Sequence, residues 1–113
     1  MQLQGKAIVS RLKYKNRGNL KLFKAIDLLI NDLENAELNT QDDFRMLRRD
    51  AEKVHNKGFY FLDITVHRVL ILLLLEAKQV KIIWTGNHKE YERIFKNNKN
   101  SIEKWLKQNK LLQ

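Results

Sequence analysis

Residues 59–85, FYFLDITVHRVLILLLLEAKQVKIIWT, decide the fold. Aromatic and β-branched residues crowd three segments, Phe59–Ile64, His67–Leu75 and Val80–Thr85, which predicts three strands. The links between them, Thr65-Val66 and Glu76-Ala77-Lys78-Gln79, are too short for the crossover of about a dozen residues that parallel pairing needs. An antiparallel meander follows. The middle strand shows no polar alternation, so both of its faces need cover. Its apolar run, Val69–Leu75, has seven residues, against roughly 20 for a membrane-spanning helix, and reads as core.

Working outward, Leu22, Phe23, Ile26, Leu29, Ile30 and Leu33 recur at helical spacing and predict a helix from about Asn19 to Asn35. After a break at Glu37-Leu38-Asn39, Thr40 is a candidate N-cap, with Asp42 and Asp43 where negative charge suits the helix dipole. The stripe Phe44, Leu47, Ala51 and Val54 carries this second helix to Asn56-Lys57-Gly58, with Arg45, Arg48, Arg49 and Glu52 turned to water or a ligand. Gly58 suits the left-handed turn that ends helices. Residues 4–14 suit a first strand or a short helix. Downstream, a short helical piece begins near His88. Beyond Asn97-Asn98-Lys99-Asn100, Ser101 caps a last helix with Ile102, Trp105 and Leu106 on one stripe. The expectation is an α+β fold: an antiparallel three- to four-stranded sheet, two N-terminal helices packed on one face, and short C-terminal helices as cover for the other.

With 113 residues and no internal repeat or linker, the chain reads as a single domain over residues 1–113, too small for a multi-domain enzyme. It has no Cys, hence no disulfide framework or thiolate site, and its three His lack metal-site spacing, so neither metal nor cofactor is expected. The start of the chain lacks the apolar segment of a secretory signal, and cytoplasmic residence is expected. The formal net charge is +9. Residues 1–24 hold seven bases and no acid, residues 25–52 eight acids and three bases, and residues 79–113 eight bases and three acids. Such a distribution favours a polyanionic partner, nucleic acid first, because Lys and Arg release counterions from phosphates. The alternative is a Lys-rich surface that serves solubility alone.

The stretch from Phe59 to Phe95 resembles the HigB-type toxins of bacterial toxin–antitoxin modules, within the RelE-like fold. The likeness rests on His67-Arg68-Val69-Leu70-Ile71 in a strand, and on the last strand running into Gly86-Asn87-His88-Lys89-Glu90-Tyr91. Asn87 stands where most relatives have Thr, with the His and Tyr in register. Asp43-Phe44-Arg45 and the segment Ala51-Glu52-Lys53-Val54 resemble the family's second helix and the turn after it; the likeness covers roughly residues 40–113. The resemblance implies a toxin that cleaves messenger RNA without a metal, in some members only on the translating ribosome. It also implies neutralisation by a helix-turn-helix (HigA-like) antitoxin.

Metal-free cleavage lets the ribose 2′-oxygen attack the adjacent phosphorus. It needs a proton acceptor, positive charge on the phosphorane and a proton for the departing 5′-oxygen. His88 can exchange protons at neutral pH. Arg68 offers a planar fork of donors to phosphate oxygens. Tyr91, one helical turn after His88, has a hydroxyl and a ring within reach of the same region. These three are the candidate catalytic residues; Lys53, Lys57, Lys89 and Arg93 are candidate RNA contacts. Glu90 should diverge from His88 and Tyr91. Each has a plainer rival: His88 as a helix-start surface residue, Arg68 paired with Asp63 across the hairpin, Tyr91 as a plug at the sheet edge, Trp84 and Trp105 as core, the three Arg of the second helix as a solvated face. Also open are a non-catalytic RNA- or ribosome-binding module, an interaction protein with an acidic partner, and a gyrase-directed toxin on the same fold.

Overall fold

Strand propensity and short turns place the meander where the sequence predicts it. The structure is a computed structural model and describes residues 1–112. Strands β3 (Phe59–Ile64), β4 (His67–Leu74) and β5 (Gln79–Asn87) pair antiparallel, with Asp63 opposite Arg68 and Arg68 opposite Gly86. Two further strands flank them. A short β1 (Gln2–Gln4) runs parallel to β5, and β2 (Glu52–His55) pairs antiparallel with β3, giving a five-stranded mixed sheet in the order β1-β5-β4-β3-β2.

The helices are α1 (Lys6–Lys15), α2 (Leu20–Asn35), α3 (Gln41–Leu47), α4 (His88–Phe95) and α5 (Lys99–Gln108). Of the two alternatives for residues 4–14 the helix is the one met, from Lys6 on, and the strand β1 precedes it. Asn19 caps α2, its side chain accepting from the Leu22 N–H. Thr40 caps α3 in a reciprocal box with Asp43, whose carboxyl pKa is lowered by the backbone N–H groups of Asn39 and Thr40.

The second predicted helix needs correction. It ends at Leu47, and residues 52–55 are edge strand β2. Arg48 is the C-cap of α3 rather than part of a solvated face: its Nη2 donates to Asp50 Oδ2 at 2.8 Å and to the Asp63 carbonyl at 3.0 Å, and its Nη1 lies 3.4 Å from Asp32 Oδ2. Arg45 and Arg49 are exposed. Gly58 does adopt positive φ, +105°, but in the β2–β3 turn, where a Cβ would sit 2.4 Å from the Leu73 carbonyl oxygen. The last helix starts earlier than expected, capped by Asn98 instead of Ser101.

Both faces of β4 are covered. One core, against α1, α2 and α3, gathers Val9, Leu22, Ile26, Phe44, Tyr60 and Val69 among others. The other, against α4 and α5, gathers Phe59, Phe61, Leu70, Tyr91, Phe95 and Leu106. Trp84 and Trp105 pack on this second core, with the Trp84 and Phe95 rings 4.9 Å apart and edge-on. Because strand residues alternate faces, consecutive residues His67 and Arg68 point into opposite halves of the molecule. No helix among the described residues is long and apolar enough to cross a membrane.

Candidate active site at the end of the sheet

Arg68 is the second residue of β4, on the α4 face, and its side chain is 17% exposed. Its Nη2 donates to Glu52 Oε2 at 2.9 Å and its Nε to Asp63 Oδ1 at 3.2 Å. The guanidinium lies over two rings, 4.7 Å from the Tyr91 centroid and 5.0 Å from that of Phe61. Burial opposes its charge, but the Glu52 hydrogen bond and carboxylate, followed by Tyr91 and Asp63, outweigh it and raise the pKa. The cross-hairpin pairing with Asp63 read from the sequence is present, and Glu52 on β2 is a second partner which the sequence did not offer.

At the other edge of the site β5 runs directly into α4. Asn87 caps the helix, accepting from the Glu90 N–H at 2.9 Å, while Glu90 Oε1 accepts from the Asn87 N–H at 3.0 Å. This box fixes His88 as the first helical residue. Its side chain is 72% exposed, with Nε2 3.5 Å from Glu92 Oε1 and the imidazole stacked on the Tyr91 ring, centroids 6.3 Å apart at 23°.

Tyr91 joins the other two residues through its ring, while its hydroxyl turns inward. It is 2% exposed, and its hydroxyl donates to Asn97 Oδ1 at 3.0 Å. Burial raises its pKa, with Arg68 opposing. Its ring is a platform, carrying Arg68 and His88 and meeting Phe61 edge-on at 5.0 Å. Asn97, in the left-handed conformation at φ 48°, closes the turn between α4 and α5 and holds the phenol inward.

The candidate RNA contacts divide. Lys89 and Arg93 are exposed on α4, four residues apart on one helix face beside His88. Lys53 is on β2 instead of a helix, on the opposite face of the sheet, and its Nζ donates to Gln41 Oε1 at 2.6 Å. Lys57 is corrected too: it lies in the β2–β3 turn, beyond the Phe59–Leu72 pair, at the end of the sheet away from Arg68. Four residues of β4 separate Arg68 from Leu72, about 13 Å at strand rise. Glu90 diverges from His88 and Tyr91 as expected, facing the α1 side with His67.

The site therefore offers an exposed imidazole, a guanidinium held in a fixed plane with Nη1 outside both of its ion pairs, and flanking cations on α4. Together these can move a proton and stabilise charge on a phosphate oxygen. A family model described as HigB_toxin, RelE-like toxic component of a toxin–antitoxin system, matches residues 23–94, more than half of the chain. A search of curated proteins finds no match.

Proposed function

The chain belongs to the HigB family of RelE-like toxins, the toxic components of toxin–antitoxin systems, and we propose that it acts as a metal-independent endoribonuclease on messenger RNA. In this reading it works on the translating ribosome, in the cytoplasm, and a helix-turn-helix antitoxin of HigA type silences it. The observation that carries the reading is the stack of His88 and Arg68 on one Tyr91 ring at the end of the sheet.

His88 is the proton carrier. Its exposed ring leaves room for a ribose-phosphate link, and Glu92 beside Nε2 orients it. Arg68 binds the phosphorane oxygens. Its plane is set in advance by Glu52, Asp63 and the ring beneath, so little reorganisation accompanies the charge that develops in the transition state. Tyr91 is a positioning residue. Lys89 and Arg93 steer the RNA backbone. The ribosome supplies substrate alignment, which makes slow cutting by the isolated protein compatible with catalysis.

The test is induction of wild type, His88→Ala and Arg68→Ala in cells, with RNA ends mapped. A positioned acid–base group is worth about 10²–10⁴-fold, so both variants should lose most cleavage; equal cleavage by all three would remove these roles. A second reading has its own support: the two carboxylates on Arg68 and the enclosed phenol also suit a module that binds RNA or the ribosome without cutting. It predicts growth arrest with intact messages.

A further inference from the structure

Among the described residues, two buried polar side-chain atoms have no hydrogen-bond partner: Arg48 Nε and His67 Nδ1. Arg48 is engaged through its other nitrogens. His67 is not: 8% exposed, it lines a cleft of about 360 Å³ between α1 and the β5–α4 junction. That volume falls among those of small-ligand pockets, about 300–1,000 Å³. Leu12 supplies an apolar wall, Arg11 and Lys15 stand at the α1 side, and Asn87 and Glu90 close the other side.

We propose that this cleft is a nucleobase pocket, which takes the base next to the scissile phosphate and prefers one bearing an amino group: adenine, cytosine or guanine. The inference rests on the ribonuclease reading and extends it to substrate selection. Asn87 lines the cleft and His88 follows it directly, so the pocket and the imidazole are neighbours across one residue of backbone. Likewise His67 and Arg68 are consecutive and face opposite sides of the sheet. An RNA strand crossing the end of the sheet meets Arg68 and His88 on one side and the cleft on the other.

The base preference follows from the acceptors present. Glu90 has one carboxylate oxygen committed to the Asn87 N–H, and the other remains; an ionised carboxylate only accepts. An exocyclic amine satisfies it, whereas uracil flanks its single N–H with two carbonyls that the carboxylate repels. The charged groups facing His67 are Glu90, Arg11 and Lys15. Burial lowers the pKa of His67, with Glu90 opposing, so near neutral pH it is an uncharged imidazole, one ring nitrogen a donor and the other an acceptor. Arg11 and Lys15, both exposed, take the connecting phosphate.

The experiment has two arms. In the first, protein with ¹⁵N-labelled histidine is titrated with adenosine 5′-monophosphate, uridine 5′-monophosphate and inorganic phosphate, and the ring resonances of His67 are followed. They should move with the adenine nucleotide, and much less with the uridine nucleotide or phosphate. No movement, or equal movement with phosphate alone, overturns the pocket. In the second, wild type, Glu90→Gln and His67→Leu are compared by mapping RNA ends in a translating extract. Gln at position 90 keeps an acceptor for the cap and adds a donor, so discrimination against uracil should fall about tenfold. Wild-type cleavage with base preference identical in all three overturns the pocket and leaves the ribonuclease reading standing. A wild type that binds the nucleotide at His67 but cuts nothing overturns the ribonuclease reading instead.

Discussion

Arg68 rests on the face of Tyr91, guanidinium carbon 4.7 Å from the ring centroid, and the phenol beneath it is turned inward to Asn97. The ring and the hydroxyl of Tyr91 thus do separate work, and substitution separates them. Tyr91→Phe keeps the platform and loses one partly buried hydrogen bond, a cost of about 1 kcal/mol. Tyr91→Ala removes the ring from the second core at about 3–5 kcal/mol. Urea unfolding should rank the two in that order. RNA cleavage should survive Phe and be lost with Ala; loss with Phe would give the hydroxyl a chemical role.

Glu52 holds Arg68 through one charge-assisted bond and is itself half exposed. As a negative group beside the guanidinium, it competes with an RNA phosphate. Glu52→Gln should therefore strengthen binding of a 2′-deoxy, uncuttable oligonucleotide several-fold at low salt, with the advantage shrinking as salt rises. Fluorescence anisotropy across a salt series measures this. Stability should change by no more than about 1 kcal/mol, as befits a pair open to solvent on one side.

Gly86 is opposite Arg68 in the ladder and one residue before the cap of α4. A Cβ there would sit 2.6 Å from Cζ2 of Trp84 and 3.2 Å from Cβ of Glu90, so the indole or the start of the helix must shift. Gly86→Ala should cost about 1–3 kcal/mol by overpacking. Trp84 is the reporter. Its fluorescence and near-ultraviolet dichroism should change in the folded state, and cleavage should fall because His88 moves with the helix start.

The meander and its two-sided cover were legible because the β3–β5 stretch has unmistakable composition and its turns are too short for any other pairing. The three-residue β1 was not, since its pairing with Gln79–Lys81 is set by tertiary structure alone. Strand β2 is hidden from the sequence because Phe44, Leu47, Ala51 and Val54 keep helical spacing right across the point where α3 stops. Arg48, at the end of that helix, turns to Asp50, Asp32 and the Asp63 carbonyl, and no local pattern announces the two distant partners, Asp32 and Asp63. At the site, Arg68, His88 and Tyr91 converge as their strand-end and helix-start positions suggest. Lys53 and Lys57 do not, because their expected places depended on the helix that became β2. His67 carried no motif; only burial beside Arg11, Lys15 and Glu90 makes it stand out.

Buried His67 also gives the protein a pH signature. Its folded pKa lies below the ordinary 6.5 because burial disfavours the imidazolium, with the Glu90 carboxylate opposing and Arg11 and Lys15 also lining the cleft. Between the folded and unfolded pKa values the unfolded chain binds more protons than the folded one, so stability rises with pH. The contribution is therefore complete above about pH 6.5 and is lost as pH falls from there toward the lower folded value. Comparing denaturation midpoints of wild type and His67→Leu at pH 7.5 and pH 5 isolates this residue from the other carboxylates and histidines. Wild type should lose more stability than the variant over that interval. A variant with the same pH slope as wild type would mean that His67 protonates in the fold as easily as in the unfolded chain.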